Sequence, residues 1–269
     1  MQKKELKENI YTIVDQLNEE DLSTVLEEAE KIYYEKQFEK YANGYNLPKK
    51  DSQEYLFLKC AVQFNGNIIK KLVLQLGITN YYFNKFIIKY HLIEVSTGMY
   101  IFPDSKIDGL FLLQNKYSSS VISHETALYF LGLSDVIPKF FIMSLPVGYK
   151  LSQIEANNNQ YVEIKKGHLN HKKGLTVTYL DNDDIFITQT QPIKKEQIIT
   201  IKNAEGLPIR VTSAERSIID VLDNHSETEE EIKFTAIQRY LAEQPEKINR
   251  LRRFAKEYNV LSQLDYYLK

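Results

Sequence analysis

The chain has 269 residues, 43% hydrophobic and 26% charged, with 10 glycines and 7 prolines. That composition suits a folded globular protein of about two domains and argues against a collagen-like, loop-rich or disordered one. The formal net charge is −2, so a nucleic-acid surface, if there is one, must be local rather than spread over the whole chain.

No run approaches the roughly 20 apolar residues of a membrane span. The start, Met1-Gln2-Lys3-Lys4-Glu5, leads into an acidic helical pattern and not an apolar signal core. Cys60 stands alone, which rules out an internal disulfide and a multi-cysteine zinc site. It reads as a small buried hydrophobe on a helix. The expectation is a cytoplasmic protein with no membrane partner.

Charge divides the chain. Residues 1 to 50 hold 8 Lys/Arg and 11 Asp/Glu, a net of −3. Residues 51 to 103 hold 5 and 3, a net of +2, and the remainder 21 and 22, a net of −1. Residues 1–50 form a helical extension. Leu6, Ile10, Ile13 and Leu17 share one face. Asp21 can cap a second helix with Leu22, Val25, Leu26, Ala29, Ile32 and Tyr33 on its apolar side. Asn43-Gly44 and Pro48-Lys49-Lys50 end it. Such an arm either packs on its own chain or engages a second one.

Residues 51–103 carry the most informative order. Tyr55 to Phe64 is a helical pattern broken by Gly66-Asn67. Ile68, Ile69, Leu72, Val73 and Leu76 then recur at helical spacing. Gly77 can stop that helix in a left-handed conformation, Ile78 plugs the turn, and Thr79 is a good N-cap for a third helix. In that helix Phe83, Phe86, Ile87 and Tyr90 face inward. Leu92–Val95 and Met99–Phe102 read as strands joined by Ser96-Thr97-Gly98. Helix, helix, turn, helix, hairpin is the layout of a winged helix-turn-helix, whose third helix can enter a major groove about 12 Å wide. The outward residues expected there are Asn80, Tyr81, Asn84, Lys85 and Lys89, with Thr79 at the helix start. Asn can bond adenine at two points, and Lys can reach guanine or phosphate. Lys70 and Lys71 open the second helix, and Ser96, Thr97 and Tyr100 lie on the wing, within reach of the sugar-phosphate edge.

Residues 104–269 read as a mixed α/β domain. Ser123 can cap a helix through about Phe130, ended by Gly132. Phe140–Leu145, Leu175–Tyr179, Ile185–Thr190 and Ile198–Ile201 read as strands, with Asp181-Asn182-Asp183-Asp184 as a turn. Thr212 and Glu215 have capping-box spacing. Arg216 and Asp220 form an i,i+4 pair on the helix that follows. Helices fill about 230 to 268, with Pro245 in a first turn. Two basic groups could touch a DNA backbone: Lys165, Lys166, Lys172 and Lys173 around a loop with Gly167 and Gly174, and Arg250, Arg252 and Arg253 with Lys256 on a late helix. The fold class is therefore α+β or mixed, with N-terminal helices and a winged helix-turn-helix before a mixed α/β C-terminal domain.

Catalytic motifs are missing. There is no Gly-x-Gly-x-x-Gly and no phosphate loop. His124-Glu125 is followed by Leu128 where a zinc protease needs His. His168 and His171 find no third ligand, and Asp181, Asp183 and Asp184 lack the central Gly of a calcium loop. The expectation is no enzyme, no metal and no cofactor. The rivals are a protein-only winged-helix adaptor and an enzyme with an unrecognised site in the C-terminal domain.

Three stretches carry a resemblance. They are Leu76-Gly77-Ile78-Thr79 with the hairpin ending Met99-Tyr100-Ile101-Phe102-Pro103; Ile122-Ser123-His124-Glu125-Thr126-Ala127-Leu128-Tyr129 with Gly132-Leu133, Pro138 and Pro146-Val147-Gly148-Tyr149; and Thr212 to Asp220. Over residues 52 to 225 the chain resembles the AbiEi-type antitoxins of abortive-infection, type IV toxin–antitoxin systems. The resemblance implies a phage-defence antitoxin whose winged helix-turn-helix represses its own promoter at inverted repeats. It also implies a C-terminal domain that counters a nucleotidyltransferase-like toxin, with no direct complex assumed. Recognition helices of the family are often Arg-rich, whereas this one offers Asn, Tyr and Lys, and the acidic arm exceeds the minimal family pattern.

Overall fold

The computed structural model describes every residue except 1, 2, 43, 170, 171, 181–183, 191, 192, 225 and 244. The readings of Asn43, Asn170, His171, Asp181, Asn182 and Asp183 fall outside the described residues. The chain is mixed α/β, with N-terminal helices and a C-terminal sheet. It divides into two compact units, residues 1–66 with 72–92 and residues 67–71 with 93–269.

The first unit holds α1 (Lys3–Val14), α2 (Glu19–Ala42), α3 (Gln53–Gln63), most of α4 (Lys70–Gln75) and α5 (Asn80–Lys89). Asn18, not Asp21, opens α2: its side-chain oxygen accepts from the Asp21 N–H at 2.9 Å. An Asn there satisfies an otherwise unpaired first-turn amide. Only the C-terminal third of α2 is packed, through Tyr34, Phe38 and Tyr41. Phe38 meets Tyr55 of α3 edge-on at 5.1 Å. Phe57 of α3 stacks on Phe86 of α5 at 4.8 Å and on Tyr90 at 5.7 Å. Such ring pairs add to the burial that fixes α5 against α3. Cys60 is buried, as its helix position suggested, and burial pushes its thiol up to about 12.

In the second unit β1 (Asn67–Ile69), β2 (Ile93–Ser96) and β3 (Met99–Ile101) form an antiparallel sheet in the order β1-β3-β2. Ile68 and Ile69 were expected to start a helix, but they are strand residues paired with Tyr100 and Met99. Two β-branched side chains fit a buried strand better than a first helical turn. The helix begins only at Lys70, and Leu76, expected on its inner face, lies beyond its end and is exposed.

The larger sheet runs β6 (Val162–Leu169), β7 (Lys172–Tyr179), β8 (Asp184–Thr190), β5 (Phe141–Pro146), β4 (Val121–Ile122), β10 (Pro208–Thr212), β9 (Ile198–Lys202). Its β5–β8 and β4–β10 pairs are parallel and the rest antiparallel. Gly167 and Gly174 do not flank a loop. They face each other across the β6–β7 ladder. A Cβ on Gly174 would lie 2.3 Å from the Ile187 carbonyl oxygen, so β7 and β8 can approach only at glycine. The helices are α6 (Gly109–Lys116), α7 (His124–Phe130), α8 (Leu151–Glu155), α9 (Ala214–Leu222), α10 (Glu230–Glu243), α11 (Ile248–Glu257) and α12 (Leu261–Tyr267). A short 3-10 turn, Pro245–Lys247, precedes α11. Leu128, Ile218, Ile219, Tyr240, Leu251 and Leu264 join α7, α9, α10, α11 and α12 in one core.

Two caps differ from expectation. Ser213, not Thr212, caps α9 by accepting from the Arg216 N–H, while Thr212 meets the Ser217 hydroxyl at 2.7 Å. Glu215 does not reach back to the backbone but turns to Arg250 and the Tyr240 hydroxyl. Arg216 and Asp220 are the expected i,i+4 pair, at 2.8 Å and buried.

Candidate nucleic-acid interface

Local chemistry fixes α5 at both ends. Gly77 has φ +86 in open space, so it is needed for its backbone conformation and not for room. Ile78 is buried behind the turn. The Thr79 side chain accepts from the Tyr82 N–H, and the Thr79 N–H donates to Gln53 Oε1 of α3 at 3.1 Å. The first turn of α5 carries no acid, which leaves the positive end of the helix open to an anion. Phe83 and Phe86 are buried and lock the helix face. His91, at φ +52, follows the end of the helix.

The opposite face is exposed and carries Asn80, Tyr81, Asn84 and Lys85. Lys85 Nζ lies 4.4 Å from the centre of the Tyr81 ring. Hydrogen bonding to Tyr81 holds its ammonium above the usual lysine range, so it is charged at neutral pH. Tyr82 and Ile88 share the exposure, Ile88 at 75%, and neither was anticipated. The i, i+3, i+4, i+7 progression from Tyr81 reaches Ile88, so helical spacing contained the signal.

Lys89 stands apart from that row. It is half-buried, donates to Glu54 of α3, and lies 4.7 Å over the Tyr45 ring. The same Glu54 oxygen accepts from the Tyr90 hydroxyl. Burial, then this carboxylate, pushes the Tyr90 phenol well up. The expectation that Lys89 faces outward is therefore corrected: its ammonium is spent on a cluster between α3 and α5. Lys71 is exposed and Lys70 half-buried at the start of α4.

The hairpin also departs from expectation. Its turn is Thr97-Gly98, with Gly98 at φ +73. Thr97 is exposed, but Ser96 and Tyr100 are buried and cannot reach a sugar-phosphate edge. Ser96 accepts from Lys116 Nζ, which also donates to Asn157 at 2.9 Å, and Asn159 donates to the Val95 carbonyl at 3.2 Å. All three residues of β3 are buried, so both of its faces are covered, which alternation alone did not show. At the tip, Glu94 accepts from the Gly98 N–H at 3.0 Å, an acid where phosphate contact needs a cation.

Half of the eight basic residues expected at a DNA backbone in the second unit are paired with carboxylates. Lys165 meets Glu163 at 2.7 Å and Lys166 meets Glu155 at 3.3 Å. Arg250 meets Glu215 at 3.0 Å and Arg252 meets Asp265 at 3.2 Å. Lys173, Arg253 and Lys256 are exposed. Arg250 and Arg253 do not form one stripe, because Arg250 turns toward α9.

Lys172 belongs to a buried polar chain. Its ammonium lies 3.3 Å from His124 Nε2, His124 Nδ1 is 2.8 Å from Ser123 Oγ, and Ser123 Oγ is 2.7 Å from Ser144 Oγ. Burial lowers the His124 pKa, partly opposed by Asp220. A neutral ring accepting from Lys172 at Nε2 carries its proton on Nδ1 and donates it to Ser123. This explains why Ser123, although the N-cap residue of α7, makes no side-chain cap bond. His124 pays for its place with φ +55, unusual for a residue that is not glycine. Ser144 also lines a cavity of about 240 Å³ with Val121, Pro146 and Thr190, smaller than the roughly 300–1,000 Å³ of most small-molecule sites. Among the described residues no group of three or more His, Cys, Asp or Glu is placed to hold a metal.

No helix among the described residues is long and apolar enough to cross a membrane. No family model matches the chain. No curated protein matches it. A solved structure from H. pylori, provisionally described as a nucleotidyltransferase, is similar at 14% identity and a TM-score of 0.33 over 58% of this chain and 82% of that one. A TM-score of that size carries no argument about fold or activity.

Proposed function

We propose that this chain is a cytoplasmic, sequence-specific DNA-binding protein that reads the major groove through α5. The observation that carries the reading is the face of Asn80, Tyr81, Asn84 and Lys85, exposed on a helix whose other face is locked by Phe83 and Phe86. Rigid anchoring matters because base readout needs side chains held in register. Asn80 and Asn84 can each bond adenine at two points, Lys85 can reach guanine or phosphate, and Ile88 can meet a thymine methyl. The element order α3, β1, α4, turn, α5, β2, β3 supports a winged helix-turn-helix reading, in which Thr97 would be the exposed residue of the wing.

The motif resemblance extends this to an AbiEi-type autorepressor and antitoxin, acting at inverted repeats in its own promoter and opposing a nucleotidyltransferase-like toxin. A gel shift on the DNA upstream of its gene tests the binding, with an unrelated duplex as control. Binding to that DNA alone supports the reading. No preference for it, even at low salt, refutes it. The exposed Tyr81, Tyr82 and Ile88 favour one second reading, a protein-only module docking through the same face. Loss of a protein contact on Ile88→Asp without any DNA binding by the parent chain identifies that case.

A further inference from the structure

We propose that the exposed apolar stripe of the N-terminal arm is the seat of a second copy of this chain, with the two α2 helices paired antiparallel about Ala29. Leu6, Ile10 and Ile13 on α1 and Val25, Leu26, Ile32 and Tyr33 on α2 are all exposed, Leu26 at 62% and Ile32 at 63%. Single exposed apolar residues are ordinary, but a row of them along one face of α2 marks a contact surface. The α2 row recurs at threes and fours, the period of a two-helix seam. Tyr34, Phe38 and Tyr41 anchor the far end of α2 in their own unit, so the helix is held while its stripe stays open.

Charge chooses the occupant. Residues 19–30 of α2 hold six acids and no base. Glu27, Glu28 and Glu30 face Lys50, Lys31 and Lys59 of their own chain, which leaves Glu19, Glu20 and Asp21 near the start of α2 and Lys36 and Lys40 near its end as the charges that choose a partner. Two parallel copies would set Glu19, Glu20 and Asp21 against their own counterparts. Two antiparallel copies set the acidic half of each beside the more basic half of the other. Apolar positions obey the same symmetry. A two-fold axis at Ala29 places Val25 opposite Tyr33 and Leu26 opposite Ile32, with the small Ala29 side chains at the closest approach. Leu22 then meets the aliphatic stem of Lys36. The surface is self-complementary, as an isologous contact must be. If α5 binds DNA as proposed above, the same axis presents two α5 helices to an inverted repeat. That corollary rests on the DNA-binding reading, while the pairing of α2 does not.

The full chain with Ala29→Cys, Val25→Cys or Tyr33→Cys tests the pairing under mild oxidation without DNA. Buried Cys60 stays in place, and the parent chain is the control. Ala29→Cys should link to itself. Val25→Cys alone should not, because antiparallel copies hold the two positions about 12 Å apart along the axis. A mixture of Val25→Cys and Tyr33→Cys should give the mixed dimer. Light scattering of the parent chain should report a dimer, and Leu26→Glu with Ile32→Glu a monomer of unchanged helicity. A monomeric parent at high micromolar concentration, or Val25→Cys linking to itself as readily as Ala29→Cys, overturns the proposal. So does an intramolecular link in an Ile10→Cys, Leu26→Cys double variant, which would show α1 closing the stripe within one chain. Each of these outcomes is read without DNA, so a failure here is distinct from a failure of DNA binding.

Discussion

The outer face of α5 and the basic residues of the second unit differ in what their charges are doing. Lys85 has Tyr81 and Tyr82 as its neighbours and projects from an anchored helix. Lys165, Lys166, Arg250 and Arg252 outnumber it, yet each faces a carboxylate of its own unit. Those pairs are exposed on the basic side and each is worth about 0–1 kcal/mol, so a phosphate contact there is reduced by the pairing and not abolished. Counting cations along a sequence overstates an interface where they are paired, and Lys173, Arg253 and Lys256 are the exposed remainder of the second unit's basic groups.

The strongest way to break this contrast is at the asparagines. Asn80→Ala and Asn84→Ala should each cost about 1–3 kcal/mol of discrimination at the base it reads, with an unchanged melting temperature. Lys165→Ala, Lys166→Ala and Arg253→Ala together should leave the ranking of operator variants intact. Competition binding against a panel of single-base operator changes separates the two outcomes.

Within α3 and α5 the contrast can be sharpened through Glu54. Its carboxylate serves Lys89 and the Tyr90 hydroxyl. Glu54→Ala should destabilise the fold by about 1–3 kcal/mol, the cost of leaving part-buried donors without a partner. Denaturant unfolding measures it, and DNA affinity should not fall beyond the loss of folded protein.

A smaller effect concerns His124. Burial lowers its pKa below 6.5, so the folded chain holds the neutral ring where the unfolded chain would protonate it. Its contribution to stability is complete above 6.5 and is lost as pH falls toward the depressed folded value. The slope there is at most about 1.4 kcal/mol per pH unit. His124→Asn tolerates the left-handed backbone and cannot titrate, so unfolding midpoints between pH 7 and 5 should flatten in that variant.

Much of the α5 face was legible because helices announce themselves by period. Phe83 and Phe86 mark the buried side, and Gly77 and Thr79 mark the start. Lys89 was not legible, because its partner Glu54 is 35 residues away and no local pattern links them. Ser96 and Tyr100 were misplaced for a similar reason: Lys116 and Asn159, which bond to Ser96 and the Val95 carbonyl, and Ile68, which pairs with Tyr100, come from other elements. In the sheet, β7 and β8 stood out by their β-branched runs, but edge strand β6 carries Glu163, Lys165 and Lys166, a composition that reads as loop until its alternation is seen against β7. Ser123 does stand at the N-cap of α7, but it makes no side-chain cap bond because its hydroxyl is engaged by Ser144 and His124.

The most direct test is the salt dependence of binding to the DNA upstream of the gene, compared among the parent chain, Lys85→Ala and Lys89→Ala. Lys85→Ala should reduce the slope of log affinity against log salt by about 0.9, one phosphate contact. Lys89→Ala should leave the slope unchanged while lowering the melting temperature. Equal slopes for the parent and Lys85→Ala, with a shallower slope for Lys89→Ala, would contradict the assignment of α5's outer face as the DNA-reading surface.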